Sequence, residues 1–251
     1  MSRIRRSILL ALLAVVATAC EVRTHVTVEV AEDGSGTVEV AVGLDPAALE
    51  ELPDLDGDGA RTAADLDALV RDDDLVAAGW TVEPAATDGD GTTWVRAHRA
   101  FGTPEEAELV LAELTGPDGP LRDMRLARSS SFGRDRFELS GTVDLRAGLE
   151  AFGDEALAGV LEGEPLGEDA AAFEQRLGRP LADVFTFELT AALPGGTTTW
   201  TPRLGEGPVE VRAGTTVHDW PVLALAGLAL ASFLALVAVL VVRGVRGRRA
   251  A

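Results

Sequence analysis

The run Val222–Val242 constrains this chain more than any other stretch. Its twenty-one residues carry no charge, and at about 1.5 Å per residue they make a helix of about 31 Å, enough to cross a hydrocarbon core. Trp220 precedes the run, an amphipathic ring suited to the membrane interface, and Arg243, Arg246, Arg248 and Arg249 follow it. Positive charge gathers on the cytoplasmic side of a span. Residues 222–242 are therefore expected to cross a membrane, residues 243–251 to form a basic cytoplasmic tail, and everything upstream to lie outside. A buried core helix is the alternative, and an apolar surface on every face followed by an arginine cluster argues against it.

The other end of the chain fits the same sidedness. Arg3, Arg5 and Arg6 form a basic segment, and Ile8–Ala17 an apolar one too short to span and suited to a secretory signal. Ala17, Thr18 and Ala19 then lead into Cys20, the one cysteine of the chain. This resembles a bacterial lipoprotein signal, in which small residues precede a cysteine that is diacylated and becomes the new N-terminus; Ala17 stands where such signals usually carry Leu. The resemblance implies that residues 1–19 are removed and that Cys20 is lipidated. The alternative is an ordinary signal peptide with an incidental cysteine, although a lone free thiol is a liability in an exported protein. One acyl signal holds a protein weakly and two signals hold it stably, so a lipidated Cys20 and a membrane helix would pin both ends of the exported part to one bilayer.

Charge becomes informative once it is divided. Those seven arginines are among 22 basic residues, and neither end segment holds an acid, so the exported part has 15 basic residues against 41 acidic ones. Such a surface argues against nucleic acid as a partner, and against lying flat on anionic headgroups. It is compatible with divalent cations and with plain solubility. Nearly two hundred residues between the two ends can bury a sufficient core without disulfides.

The exported part reads as α+β: a twisted, mostly antiparallel sheet covered by two or more helices, with residues 20–213 as the domain and 214–221 as a tether to the membrane. Val26, Val28 and Val30 alternate with polar residues, as do Val38, Val40 and Val42, around Glu32-Asp-Gly-Ser-Gly36, which is a hairpin pattern. His25 is expected to cap the first strand in solvent. Further strands are expected from Trp80, over Thr92–Ala97, Met124–Ser130, Arg134–Val143, Val184–Ala192 and Thr197–Thr201, and from Pro208 to Ala213. Thr103-Pro-Glu-Glu106 is a helix start, with N-cap, Pro at N1 and Glu at N3. Ala107, Val110, Leu111 and Leu114 then form one apolar stripe. A second amphipathic helix is expected over Leu145–Leu161.

One motif points at a metal. Asp54, Asp56 and Asp58 stand at positions 1, 3 and 5 of a twelve-residue calcium loop, with Gly59 at 6, Ala60 at 7, Thr62 at 9 and Asp65 at 12. Three carboxylates must converge on one hard cation while glycine makes the turn; Ala60 would give its carbonyl and Thr62 a water-mediated contact. Calcium is thus the one cofactor the spacing raises. The competing reading is a solvated Asp/Gly loop in which Thr62 and Asp65 form a capping box at a helix Thr62–Val70.

Several short motifs together carry a family likeness: the cysteine followed by a Val-rich hairpin, Ala77-Ala-Gly-Trp80, Phe101-Gly-Thr-Pro-Glu-Glu106, Gly119-Pro-Leu-Arg122, Gly141-Thr-Val-Asp-Leu145, Ala151-Phe-Gly-Asp154, Leu193-Pro-Gly195 and Trp200-Thr-Pro-Arg-Leu-Gly205. In that order they resemble the actinobacterial LppM-type envelope lipoproteins. The resemblance implies an exported domain that binds lipid or glycolipid and is not an enzyme, and it transfers no ligand residue. The residues themselves leave a non-catalytic surface interaction or structural role, ordered by calcium, as the alternative. A hydrolase lacks its parts: the three histidines are His25, His98 and His218, and neither a nucleophile elbow nor a zinc-type cluster is evident.

Overall fold

The computed structural model describes residues 21–52, 60–69, 72–115, 119–146 and 178–249. The class is α+β, as the alternation of patterns implies. Two sheets carry the strands. The larger has the order β3-β4-β2-β1-β7-β8 and the smaller β5-β6-β9.

β1 (Val22–Val30) and β2 (Gly36–Leu44) form the expected hairpin, pairing Val26 with Val40 and Val28 with Val38. Its turn is set by Asp33, whose Oδ1 accepts from the backbone N and Oγ of Ser35 at 3.0 and 2.6 Å, and by Gly34 at φ +92°, a left-handed value that glycine takes without strain. Short helices α1 (Pro46–Glu50), α2 (Ala63–Leu69) and α3 (Asp72–Ala77) follow. β3 (Thr81–Thr87) and β4 (Thr93–Phe101) return to the sheet beyond β2. β3 is an edge strand whose register slips between Glu83 and Ala86, which is where Pro84, lacking an N–H, is tolerated. Asp67 Oδ1 takes the backbone N of Ala85 at 2.6 Å beside it.

α4 (Pro104–Thr115) buries its stripe, with Ala107, Val110 and Leu111 at 0, 3 and 0 % exposure. It packs between β2 and β4 of one sheet and β5 of the other. β5 (Leu121–Ser131) and β6 (Arg134–Val143) are antiparallel around Ser131-Phe132-Gly133. Phe137, Leu139 and Val143 are wholly buried. Gly141 lies so close to β5 that a Cβ there would meet the Met124 sulfur and stand 3.0 Å from its Cα; this is the close approach a strand glycine signals. The amphipathic helix expected over Leu145–Leu161 lies outside the described residues from position 147 onward.

β7 (Phe185–Leu193) then joins β1 as the parallel pair, and β8 (Gly196–Trp200) extends that edge. β9 (Val209–His218) pairs with β6 along its whole length, and α5 (Trp220–Arg249) follows. Valines of the larger sheet, α4 and the inner residues of the smaller sheet make one apolar core. Leu44, Ala48, Leu49 and Leu66 make a satellite beneath α1 and α2.

Two expectations need correcting. His25 does not cap a strand in solvent: β1 begins at Val22, and His25 lies within it, paired with Ala41 and Glu188. Its ring sits 4.8 Å from that of Trp94. The segment 214–221 is not a tether. Gly214–His218 continues β9 against Arg134–Glu138, and Asp219 alone separates the strand from the helix.

Candidate functional site

The apolar helix α5 is joined to the folded domain at that junction. Asp219 is an N-cap: its Oδ1 accepts from the backbone N of Val222 at 3.1 Å, and its carbonyl from that of Leu223 at 3.0 Å. The first turn of an apolar helix, whose N–H groups have no helical partner, is thereby partly satisfied. Asp219 also gives its own N–H to the carbonyl of Gly133 at 3.0 Å, so the β5–β6 turn and the helix start are held together. Gly133 (φ +70°) faces Leu223, and a Cβ there would come within 2.5 Å of Leu223 Cδ2. Beyond this contact α5 stands clear: its window Trp220–Val237 is long and apolar enough to cross a membrane, and none of it is buried. The backbone stays helical through Arg249. The helix expected at Val222–Val242 thus begins two residues earlier, with Trp220 in its first turn.

The chain enters at the opposite end. Cys20 and the preceding signal segment lie outside the described residues, and Glu21 is the first residue described. Glu21 is held firmly: its carbonyl accepts from Asp45 N at 3.1 Å, and its carboxylate from Arg23 at 2.9 Å and Thr186 Oγ1 at 3.1 Å. The Arg23 hydrogen bond lowers its pKa. From Val22 the strand runs to Val30, eight steps of about 3.3 Å, or about 26 Å. The β7–β8 turn lies at that far end, where a Cβ on Gly195 would stand 3.9 Å from Val217. Glu21 and the helix start are thus separated by the length of β1.

The calcium motif is divided. Asp54, Asp56 and Asp58 lie outside the described residues; Ala60, Thr62 and Asp65 are within them. Asp65 is buried, and its Oδ2 accepts from the Thr62 backbone N at 2.8 Å and Oγ1 at 3.0 Å. These bonds lower its pKa. Thr62 and Asp65 therefore meet as the capping box of α2. Among the described residues no group of three or more His, Cys, Asp and Glu is placed to hold a metal.

The valine faces close on a packed interior: Val28 and Val38 are fully buried, in one cluster with Phe137 and Leu139. An open groove of about 340 Å³ lies instead between α4 and the irregular start of β5, lined by Glu108, Leu109, Leu121, Asp123, Met124 and Arg125. The β5 register breaks between Arg122 and Arg125, and Asp123 there takes φ +52°, a conformation uncommon outside glycine. Leu109 is 69 % exposed on the groove's helical wall.

One ionic site was not singled out from sequence. Asp144, 4 % exposed at the end of β6, receives the Arg146 guanidinium twice, at 2.9 and 2.7 Å, and its backbone N at 3.2 Å. Arg122 stands 3.7 Å away. The Arg146 hydrogen bonds hold the Asp144 carboxyl far below the ordinary range. The signal available was an Asp two residues before an Arg at a strand end. No protein-family model, curated protein or solved structure matches the chain, so the likeness to LppM-type lipoproteins rests on the motifs alone.

Proposed function

We propose that this chain is a non-catalytic envelope protein, anchored by a C-terminal span and by acyl chains on Cys20, whose exported acidic domain binds lipid or glycolipid. The observation that carries this reading is the fusion of α5 to β9: an unburied apolar helix leaves a folded domain with one intervening residue. The domain is thereby held at its bilayer, where a lipid ligand is locally concentrated. Leu109, Leu121 and Met124 give the α4–β5 groove apolar lining for an acyl chain, and Arg125 stands there beside Glu108 and Asp123 as a cation for a headgroup. The acyl anchor, one peptide from Glu21, reaches the same leaflet when β1 inclines toward the membrane plane.

The test is native mass spectrometry of the full chain released from its membrane, beside Leu109→Asp. Retained lipid that the variant loses supports the groove. Equal lipid on both proteins confines lipid to the helix and removes the binding function. Fatty-acid labelling of Cys20 and protease protection of the arginine tail test the topology; a bare thiol and a tail clipped from outside would overturn it.

The second reading, a structural or interaction protein ordered by calcium, is favoured by the packing of the valine faces into one apolar core among the described residues. A cation held by Asp54, Asp56, Asp58, Ala60, Thr62 and Asp65 at an affinity of about 10⁻⁴–10⁻³ M should raise the melting temperature at millimolar calcium. No shift removes the metal.

A further inference from the structure

We propose that the β5–β6 turn is a second point of membrane contact, its Phe132 ring lying in the interfacial layer of the bilayer that α5 crosses. This rests on the reading of α5 as a span and adds a surface of the folded domain to it.

Position argues first. Gly133 is joined to the helix start by its carbonyl, at 3.0 Å from Asp219 N, and packs on Leu223, a residue of the apolar run. Phe132, its neighbour, is therefore level with the first turn of the helix. A span that begins at Trp220 puts that turn where headgroups meet acyl chains.

Exposure argues second. Phe132 and Trp220 are each 72 % exposed, whereas Phe101, Phe137, Phe187, Trp80 and Trp94 are all buried. An apolar ring left in water at a turn tip is unfavourable, and Phe, like Trp and Leu, is among the residues that interfacial segments bury at the boundary of headgroups and acyl chains. Charge argues third, because so acidic a domain is repelled by anionic lipid. At this end two acids are engaged: Asp219 caps the helix, and Asp135 pairs with Arg128 at 3.3 Å, while Glu32 and Asp33 stand on the neighbouring β1–β2 turn. Arg134, exposed beside the turn, is free to face lipid phosphate.

The experiment uses the full chain in vesicles of phosphatidylethanolamine and phosphatidylglycerol. Cys20→Ala combined with Phe132→Cys leaves one thiol for an environment-sensitive fluorophore; matched chains carry it at Leu223 and at Gly89, a turn remote from the helix. The expected result is blue-shifted emission at 132, quenched by lipids spin-labelled near the headgroup and several-fold less accessible to iodide than at 89. Water-like emission at 132 with lipid quenching at 223 overturns the contact and leaves the span standing. Water-like emission at both sites overturns the contact and the span together. Protection from iodide at 132 without lipid quenching assigns the ring to a protein partner or a second copy, and also overturns the contact. If the labelled chain does not fold, Phe132→Trp with Cys20 intact carries the same reading: an added emission component quenched by lipids brominated near the carbonyls supports the proposal, and one reached by iodide overturns it.

Discussion

The two sheets share one core and meet the rest of the chain in opposite ways. The larger sheet receives the chain on β1, a central strand hydrogen-bonded to β2 on one side and β7 on the other. The smaller sheet releases it from β9, an edge strand paired, among the described residues, with β6 through ten residue pairs. A force on α5 is therefore borne by a single ladder, and a force at Glu21 by two. Local opening starts where backbone hydrogen bonds are fewest and most exposed. The exit from the domain, not the entrance, is its softer end.

The largest expected effect tests whether the sheets fold as one unit despite this asymmetry. Phe137, fully buried on β6, and Phe187, 2 % exposed on β7, belong to the same cluster. Replacing either by Ala should cost about 3–5 kcal/mol, read from urea unfolding of the full chain in nanodiscs. A single transition shifted equally by both variants supports one core. Two transitions, each moved by its own variant, would make the sheets separate units and break the comparison.

The next effect compares an ionic clasp on each sheet. Asp144 and Glu21 both have lowered pKa values, the first through Arg146 and the second through Arg23. The Asp144 side chain is 5 % exposed and that of Glu21 37 %, so water screens Glu21 far more. Asp144→Asn should therefore destabilise at pH 7 more than Glu21→Gln. A carboxylate whose folded pKa lies below its unfolded one stabilises fully above the unfolded value, and loses that contribution as pH falls toward the folded value. The gap between native protein and Asp144→Asn should thus be constant above about pH 5 and narrow below the ordinary value of 3.8. A gap that persists unchanged at pH 2 would assign the loss to packing.

The same asymmetry explains what was legible in the sequence. Val26 to Val42 alternates around a glycine turn, and Thr103-Pro-Glu-Glu106 carries its own cap, so these elements need no distant partner to be recognised. In the structure Glu106 N donates to Thr103 Oγ1 at 3.3 Å, while the Glu106 carboxylate accepts from Gly102 N at 2.6 Å. His25 was misjudged because Arg23 and Thr24 break the valine alternation. They belong to the strand through β7, whose residues lie about 160 positions further on. Gly214-Thr-Thr-Val-His218 carries no apolar period, and β6, its partner, supplies the reason for its being a strand. Division into two sheets depends on such pairings and was invisible. At the site, Trp220 and the apolar run were legible from composition. Phe132 was not, because its meaning comes from Gly133 lying against Leu223.

Smaller effects sharpen the difference at the exit. Gly133→Ala places a side chain in a left-handed conformation, at about 1–2 kcal/mol, and also drives a Cβ toward Leu223. It should loosen the turn from the helix, seen as faster hydrogen exchange at the Asp219 amide, with no change at the Val22 amide, which bonds to Val184 O at 2.7 Å. Equal acceleration at both would mean that exit and entrance open together.

Asp219→Ala removes the helix cap and should cost about 1 kcal/mol. Asp219→Asn, which keeps a capping oxygen, should restore most of it. The loss should appear as fraying of Trp220–Leu223 and of the adjoining end of β9, because the residue that caps the helix also donates to Gly133 through its backbone. Substitution spares that backbone bond, so β9 should keep its register with β6. If it slips instead, the carboxylate cap rather than the β6–β9 ladder fixes how the domain sits on α5.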